Sequence, residues 1–259
     1  LKWAGGKRWL VKNHSDIFPT KFNRYIEPFL GSGAVFFHLK PASAILSDAN
    51  NDLINTYISI RDHHEEVESI LKIHQLKHCK DYYYLIRSQS FHSKTARAAK
   101  FIYLNRTCWN GLYRVNQKGK FNVPIGTKTS VILASDDFGS TSNLLHEKDI
   151  YCADFESTIN RGKSGDFIFV DPPYINPDSL HGFNKYTKNS FSWNDQRRLF
   201  ECLKRAISRN CIVLMTNHHC PEVKGIFESL GSYRTLSRNE VISGKSQSRG
   251  KRLECMVSN

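Results

Sequence analysis

The sequence is short of acidic residues and has no long apolar run. It holds 24 Asp and Glu against 37 Lys and Arg in 259 residues, which gives a formal net charge of +13 and a pI near 9.4. This excess is typical of proteins that bind polyanions, most often nucleic acid, although a basic surface kept for solubility gives the same balance. No stretch reaches the roughly 18 apolar residues of a membrane-spanning helix, so we predict no membrane segment.

The sequence also lacks the cysteine patterns of disulfide frameworks and zinc sites. Its cysteines are odd in number, widely scattered and without a C-x-x-C pair. The seven are Cys79, Cys108, Cys152, Cys202, Cys211, Cys220 and Cys255. This pattern favours reduced thiols and a cytoplasmic location. The histidines lack ligand spacing as well, so we predict no metal site.

Two nucleotide-binding signatures are missing, although a glycine turn is present. Residues 24–33 predict a short strand that runs into Gly31-Ser32-Gly33, and 34–39 predict a helix. The turn has no G-x-G-x-x-G pattern, and no P-loop lysine follows. A second strand at 44–48 ends in Asp48, about 20 residues after the turn, where an acid suits the two hydroxyls of a ribose. Turn and acid together imply an adenosine-containing cofactor without a pyrophosphate.

The first seven residues are too rich in glycine to begin a helix. Gly5 and Gly6 allow the backbone to approach a ligand closely. Lys7 offers a cation for a carboxylate, and Trp3 offers an aromatic plane. A plain loop leading into the amphipathic segment at 9–18 would have the same composition.

The alternation of strand and helix stops between residues 51 and 147. Apolar spacing predicts three helices there, at 53–73, 81–90 and 96–104. Residues 105–126 then mix Asn, Arg, Lys and aromatic side chains, with a hairpin turn at Asn116-Gln117-Lys118-Gly119. Such side chains can contact base edges and phosphates, although an irregular polar loop would look the same. Residues 127–147 show little pattern, and we expect them to be mobile.

Strands return in the last part of the chain. Residues 149–155 predict a strand that ends in Asp154 and Phe155, an acceptor and a ring for an adenine. Further on, the sequence predicts a helix at 193–207 opened by Ser192, a strand at 211–217, and a hairpin of 233–241 with 252–257. The polar loop 179–190 is a predicted lid. The basic connection 243–251 suits a phosphate-binding arm or, equally, a solvated loop.

One apolar run stops at an acid, two prolines and a tyrosine. Residues 166–170 predict a buried strand, and Asp171-Pro172-Pro173-Tyr174 ends it because proline cannot donate to a sheet ladder. The carboxylate of Asp171 and the carbonyl of Pro172 can accept the two N–H groups of an aromatic amine, which frees its lone pair to attack an electrophile. Tyr174 offers a ring for a base flipped out of a duplex. A tight turn after a core strand is the alternative.

Taken in order, these segments resemble the Dam-type DNA adenine N6-methyltransferases, which use S-adenosylmethionine. The resemblance covers nearly the whole chain. Its carriers are Lys2-Trp3-Ala4-Gly5-Gly6-Lys7, Glu27-Pro28-Phe29-Leu30-Gly31-Ser32-Gly33, Leu46-Ser47-Asp48, Leu104-Asn105-Arg106, Asn110-Gly111-Leu112-Tyr113-Arg114, Phe121-Asn122-Val123-Pro124 and Asp171-Pro172-Pro173-Tyr174.

The resemblance implies a role for each matching residue. The cofactor would be lined by Trp3, Lys7, Phe29, Gly31, Asp48, Asp154, Phe155 and Asp171. The target adenine would be held by Asp171, Pro172 and Tyr174. DNA would be bound by Lys2, Arg87, Arg106, Asn110, Leu112, Arg114, Asn116 and Pro124. Among these, Arg87, Arg106 and Asn116 match phosphate-binding or positioning sites, whereas Leu112, Arg114 and Pro124 match positions that read the sequence.

The resemblance favours GATC as the recognition site. GATC-specific members commonly carry Arg-Tyr after Phe-Gly, whereas here Thr127-Lys128 follows Ile125-Gly126. This departure leaves a related GAT-containing site open.

We therefore predict an α/β fold with a Rossmann-like methyltransferase sheet. The sheet is expected from 1–50 and 148–259, with a mainly helical target-recognition insertion at 51–147. The partner is expected to be double-stranded DNA, and the protein to be a monomer. Two alternatives are an RNA or protein amine methyltransferase with the same acceptor motif, and a catalytically silent DNA-binding module.

Overall fold

A computed structural model describes residues 1–3, 5–175, 191–239 and 251–259. The helices in these ranges are α1 Arg8–Asn13, α2 Ala34–Leu39, α3 Asn51–Lys77, α4 Lys80–Ser88, α5 Lys94–Thr107, α6 Phe138–Leu145, α7 Phe155–Ile159, α8 Trp193–Ser208 and α9 Pro221–Phe227. The strands are β1 Tyr25–Glu27, β2 Ala44–Asp48, β3 Asp149–Cys152, β4 Phe167–Val170, β5 Ile212–His218, β6 Ser232–Asn239 and β7 Lys251–Ser258.

The chain divides into two compact units. The first is Leu1–Ser15 with Leu30–Ala153, and the second is Asp16–Phe29 with Asp154–Asn259. Within the first unit, α3 packs against β2 and β3 as well as against α5 and α6. That 51–147 works as a target-recognition insertion is a statement about its role, and it stays a prediction.

The first unit joins a parallel strand pair to a group of helices. β2 and β3 run parallel, with Leu46 opposite Ile150. The long helix α3 begins at Asn50, whose side chain accepts from the amide of Leu53. Apolar side chains at helical spacing on α3 are buried, as its sequence predicts. The strand and helices predicted at 44–48, 53–73, 81–90 and 96–104 are thereby confirmed.

The second unit contains a mixed sheet in the order β1, β4, β5, β7, β6. β4 pairs in parallel with β1 and with β5, so its apolar residues are buried on both faces. β7 runs antiparallel to β5 on one side and to β6 on the other. Helix α8 begins at Ser192 with a capping box to Asp195. Parallel strands with helices, closed by a C-terminal antiparallel hairpin, confirm the predicted Rossmann-like methyltransferase class.

Three local predictions need correction or completion. Residues 127–147 show little pattern in the sequence, but they contain helix α6. Asp137 caps this helix by accepting from the amide of Ser140 at 2.8 Å. The strand predicted at 149–155 ends at Cys152, because Asp154 accepts from the amide of Glu156 and starts α7. The short helix α9, with a proline in its first turn, was not predicted.

Two predicted segments fall largely outside the described residues. These are the lid at 179–190 and the basic connection at 243–251. Within the described ranges, no helix combines the length and the hydropathy that a bilayer crossing requires.

Candidate active site

The acid and tyrosine after β4 are each held by a side chain from another strand of the second unit. The hydroxyl of Thr216 on β5 donates to Oδ1 of Asp171 at 3.0 Å. The hydroxyl of Tyr174 donates to Oε2 of Glu254 on β7 at 2.8 Å. Thr216 and Glu254 are both buried, and Pro172 is buried between Asp171 and Pro173. The predicted base pocket is therefore braced at both ends.

Acidic side chains lie near the carboxyl end of β4. Burial raises the pKa of Tyr174 well above its usual value, and the charges of Asp171 and Glu254 raise it further. On β1, the buried Tyr25 donates to Oε2 of the buried Glu27 at 2.9 Å. Burial also raises the pKa of Tyr25, helped by Glu27 and by Asp171. Electron-rich oxygens in a buried setting suit acceptance of hydrogen bonds from an amine.

The second unit also holds the acceptor and the rings predicted for the cofactor adenine. The rings of Phe29 and Phe155 are stacked, with centroids 5.4 Å apart and 26° between their planes. Asp154 is half exposed, and its carboxylate pairs with both terminal nitrogens of Arg198 at 2.9 Å. The Arg198 guanidinium also lies 4.2 Å from the centre of the Phe155 ring. A carboxylate has lone pairs enough to accept from an adenine amine as well.

In the first unit, Asp48 and the glycine turn form one hydrogen-bonded structure. Oδ2 of Asp48 accepts from the amide of Gly31 at 3.0 Å, and Oδ1 accepts from the amide of Asn50 at 2.9 Å. Burial raises the pKa of Asp48, while these backbone N–H groups act in the opposite direction. Gly31 has a φ of +47°, and a Cβ there would meet the Trp3 ring at 2.8 Å. Only glycine fits between Trp3 and this turn.

These features fit an adenosyl cofactor. The acid at the end of β2 is oriented by backbone N–H groups on both oxygens, and its remaining lone pairs can accept from ribose hydroxyls. Lys7 is buried, and its ammonium donates to the carbonyl of Gly5 at 2.8 Å. Trp3 stacks on Tyr113 with centroids 5.5 Å apart.

The N-terminal segment and the loop that begins at Asn110 are joined through α5. The amide of Lys2 donates to Oδ1 of Asn105 at 2.9 Å, and Nδ2 of Asn105 donates to the carbonyl of Lys2 at 2.8 Å. Gly111 lies against Lys2, since a Cβ there would meet Lys2 Cδ at 2.5 Å. The exposed Asn110 takes a left-handed φ of +54°, which starts the exposed loop. Lys2 thus lies beside Gly111 at the start of this loop.

The predicted hairpin turn forms and carries several predicted DNA-binding residues. Oδ1 of Asn116 accepts from the amides of Lys118 and Lys120, both at 3.0 Å, so Asn116 shapes the turn. Arg114 is exposed, and its Nε donates to Oδ1 of Asn122 at 2.8 Å. Pro124 is exposed on the same chain segment, whereas Leu112 is half-buried.

Arg87 and Asn116 line a cavity of about 610 Å³ in the first unit. Its other cationic lining residues are Arg97, Lys100 and Lys120. Nη1 of Arg87 donates to the carbonyl of Val123 at 3.1 Å, and its guanidinium lies 4.6 Å from the centre of the Tyr84 ring. A cleft with this charge suits a phosphodiester backbone.

Arg106 has a different environment. Its guanidinium pairs with both oxygens of Asp136 and donates to the carbonyl of Val131, and only 12% of its side chain is exposed. Of the two roles left open by the sequence, this geometry favours positioning of the loop over direct contact with a phosphate.

Three residues around the site were not singled out from the sequence. Glu254 leaves a usable signal, because it is an acid inside an apolar strand. Thr216 and Arg198 have no such signal in the sequence, because threonine is common in strands and arginine is common on amphipathic helices. Across the described ranges, no group of three or more His, Cys, Asp or Glu is placed to hold a metal ion.

Parallel strands with helices in each unit, with Asp48 at the end of β2 in the first and Asp171 just after β4 in the second, are typical of Rossmann-like methyltransferases. Residues 3–243 match the family model of the D12 class N6 adenine-specific DNA methyltransferases. The chain belongs to this family and is a DNA adenine-specific methyltransferase. Family membership implies S-adenosylmethionine as the methyl donor, and it favours DNA adenine methylation over the two alternative functions.

Named relatives are similar to this chain over most of their own length. The chain is 36% identical to the type II methyltransferase M1.LlaDCHI of Lactococcus lactis subsp. cremoris, covering 100% of this chain and 94% of the relative. It is 32% identical to the type II methyltransferase M.MjaIII of Methanocaldococcus jannaschii, covering 93% and 91%. It is 31% identical to the DNA adenine methylase of Escherichia coli K12, covering 84% and 80%.

Proposed function

We propose that this protein methylates N6 of an adenine flipped out of duplex DNA, in GATC or a related GAT-containing site, and acts as a monomer. The observation that carries the proposal is the rigid end of β4. There Asp171 is held by Thr216, and Tyr174 is held by Glu254. A base inside a duplex cannot reach such a pocket, so the adenine has to leave the stack.

Asp171 and Pro172 are proposed to activate the amine. The lone pair of an adenine amine is delocalised into the ring, which makes it a weak nucleophile. Two acceptors at Asp171 and at the Pro172 carbonyl draw its N–H groups away from the ring plane and free that lone pair. When bound, S-adenosylmethionine supplies an electrophilic methyl group on a sulfonium. Asp171 acts chiefly as an acceptor, because the proton on N6 becomes acidic once the nitrogen is alkylated. Alignment and fixed dipoles supply most of the acceleration.

The cofactor contacts that the resemblance implies are proposed for this chain as well. In the first unit, Asp48 accepts from the ribose hydroxyls, Lys7 faces the carboxylate, and Trp3 and Gly31 line the site. In the second unit, the proposed contacts are Phe29, Asp154, Phe155 and Asp171. Support comes from the oriented carboxylate of Asp48 and from the stacked rings of Phe29 and Phe155.

The first unit is proposed to read the DNA. Lys2, Leu112, Arg114 and Pro124 are assigned to base edges, and the exposed Asn110 is assigned to DNA contact as well. The exposure of Arg114 and the hairpin that carries it support this assignment. The residues assigned to phosphate contact or loop positioning are Arg87, Arg106 and Asn116.

Sequencing of methylated adenines tests reaction and site together. Unmethylated genomic DNA is incubated with the protein and S-adenosylmethionine, and the methylated positions are mapped. We expect N6-methyladenine confined to one GAT-containing sequence, and its loss in Asp171→Ala with DNA affinity retained. The control is Asp16→Ala, which removes an exposed acid from the same unit. Methylation without sequence preference, or robust methylation by Asp171→Ala, would contradict the proposal.

A further inference from the structure

The carboxylate of Glu254 is the most unusual group near the proposed base pocket. Only 1% of the residue is exposed, and the next three residues of β7 are buried and apolar or weakly polar. Burying a carboxylate costs free energy unless hydrogen bonds compensate for the lost water. The buried Glu254 carboxylate is therefore expected to accept hydrogen bonds that compensate for this cost.

Glu254 lies on a strand that is held from both sides. In the antiparallel register it stands opposite His218 of β5 and opposite Leu236 of β6. Its backbone therefore has little freedom to move. A carboxylate on such a strand is a fixed acceptor for a side chain that approaches from a loop.

Tyr174 makes use of this acceptor. Its hydroxyl donates to Oε2 of Glu254 at 2.8 Å, and its ring lies 6.3 Å from the His218 ring at 38°. The two prolines before Tyr174 fix the backbone but leave the ring free to turn about its side-chain torsions. A hydrogen bond at the far end of the ring removes that freedom.

We infer that Glu254 is a positioning residue for methyl transfer: it holds the Tyr174 hydroxyl and thereby fixes the ring against which the flipped adenine packs. The inference rests on the proposed function, since it gives Tyr174 the base-packing role. Glu254 acts through Tyr174 and need not touch the adenine. Its loss should reproduce the loss of the Tyr174 hydroxyl.

A double-mutant cycle in the full chain tests this pairing. Tyr174→Phe removes the donor and keeps the ring, while Glu254→Met removes the acceptor and keeps a side chain of similar length. Glu254→Gln keeps a carbonyl oxygen that can still accept from the phenol. Tyr233→Phe is the matched control, because it removes a tyrosine hydroxyl bonded to His219 in the same sheet.

Two readouts separate positioning from a general effect on stability. One is the single-turnover rate of methylation at saturating DNA and S-adenosylmethionine. The other is the fluorescence of 2-aminopurine placed at the target adenine, which reports how the extruded base packs. Thermal melting is measured alongside for every variant.

We expect Tyr174→Phe and Glu254→Met each to slow transfer by about 10- to 100-fold, as loss of a charge-assisted hydrogen bond would. The double variant should be no slower than the slower single variant, because both remove the same bond. Both single variants should change the 2-aminopurine signal in the same direction. Glu254→Gln should stay within about threefold of the wild type, since it retains an acceptor. Tyr233→Phe should match the wild type.

Multiplicative effects in the double variant would overturn the inference, and so would a wild-type rate in either single variant. If Glu254→Met fails to fold, Tyr174→Phe still tests the bond from its other end and decides the outcome by its rate. A wild-type protein that leaves duplex DNA unmethylated would instead refute the proposed function. Unaffected variants of a protein that does methylate DNA would refute only the role of Glu254.

Discussion

The guanidinium of Arg198 lies 4.2 Å from the centre of the Phe155 ring and pairs with both oxygens of Asp154 at 2.9 Å. It also contacts Asp195, one turn earlier on α8, at 3.1 Å. One side chain of α8 thus holds the acid and the ring that begin α7. Both are proposed to meet the adenine of the cofactor, so Arg198 links cofactor binding to the packing of these helices.

Replacing Arg198 by Met should weaken S-adenosylmethionine binding by about 3- to 10-fold, because exposed ion pairs and cation–π contacts are each worth up to about 1 kcal/mol. Isothermal titration with S-adenosylmethionine and its demethylated product measures the change. Arg205→Met is the control, because Arg205 pairs with Glu156 but not with Asp154. Equal affinities in the two variants would show that Arg198 does not position these groups.

The ion pair of Arg106 and Asp136 is predicted to stabilise the fold, and the salt dependence of DNA binding tests whether Arg106 also contacts a phosphate. Both side chains are largely buried, so removing either partner should cost about 3–5 kcal/mol of folding free energy. Denaturant unfolding of Arg106→Ala and Asp136→Ala measures this loss. If Arg106 only positions the loop, both variants should bind DNA with the salt dependence of the wild type. A slope reduced by about one in Arg106→Ala alone would indicate a direct phosphate contact.

Arg114 is predicted to carry sequence selectivity. Arg114→Ala should reduce discrimination against a mismatched site by about 1–3 kcal/mol, measured as the ratio of methylation rates on matched and single-mismatch duplexes. Asn122→Ala removes only the side chain that orients Arg114 and should have a smaller effect in the same direction. An unchanged ratio in Arg114→Ala would contradict the reading role.

The buried position of His74 predicts that the folded protein loses stability in mild acid. His74 is buried in α3, its Nδ1 lies 2.8 Å from the Tyr82 hydroxyl, and burial lowers its pKa to about 4, with Lys77 adding to the effect. Because the unfolded pKa is near 6.5, the unfolded state binds the proton first. The free energy of unfolding is therefore unaffected by His74 above pH 6.5, and it decreases as the pH falls from 6.5 towards 4.

The loss should reach roughly 3 kcal/mol at the acid end of that range. His74→Asn keeps a partner for Tyr82 but cannot take up the proton. Urea unfolding at pH 8, 6 and 5 should therefore give a smaller slope with pH for the variant. His78 has a pKa that burial also lowers, so part of the slope will remain. Equal slopes in both proteins would exclude His74 as a source.

The central strands could be predicted from the chain because β2, β4 and β5 are largely apolar runs with clear ends. The run before Asp171 is the best example, since two prolines end it. Helix α6 could not be predicted, because eight residues of Phe, Gly, Ser, Thr, Asn and Leu carry little helical preference. Its stability comes from the Asp137 cap and from the burial of Phe138 and Leu145, which are tertiary effects.

The candidate site was predictable where a residue type has few other uses. The sequence by itself determined the family, the rigid turn at Asp171 and the acid at the end of β2, because proline, glycine and a strand-ending acid act locally. Only the tertiary structure decided that Glu254 meets Tyr174, that Thr216 meets Asp171 and that Arg198 holds Asp154. These partners are 80, 45 and 44 residues apart. No local pattern reports such pairings, because they follow from the strand order and register of the second unit and from the packing of α8 on α7.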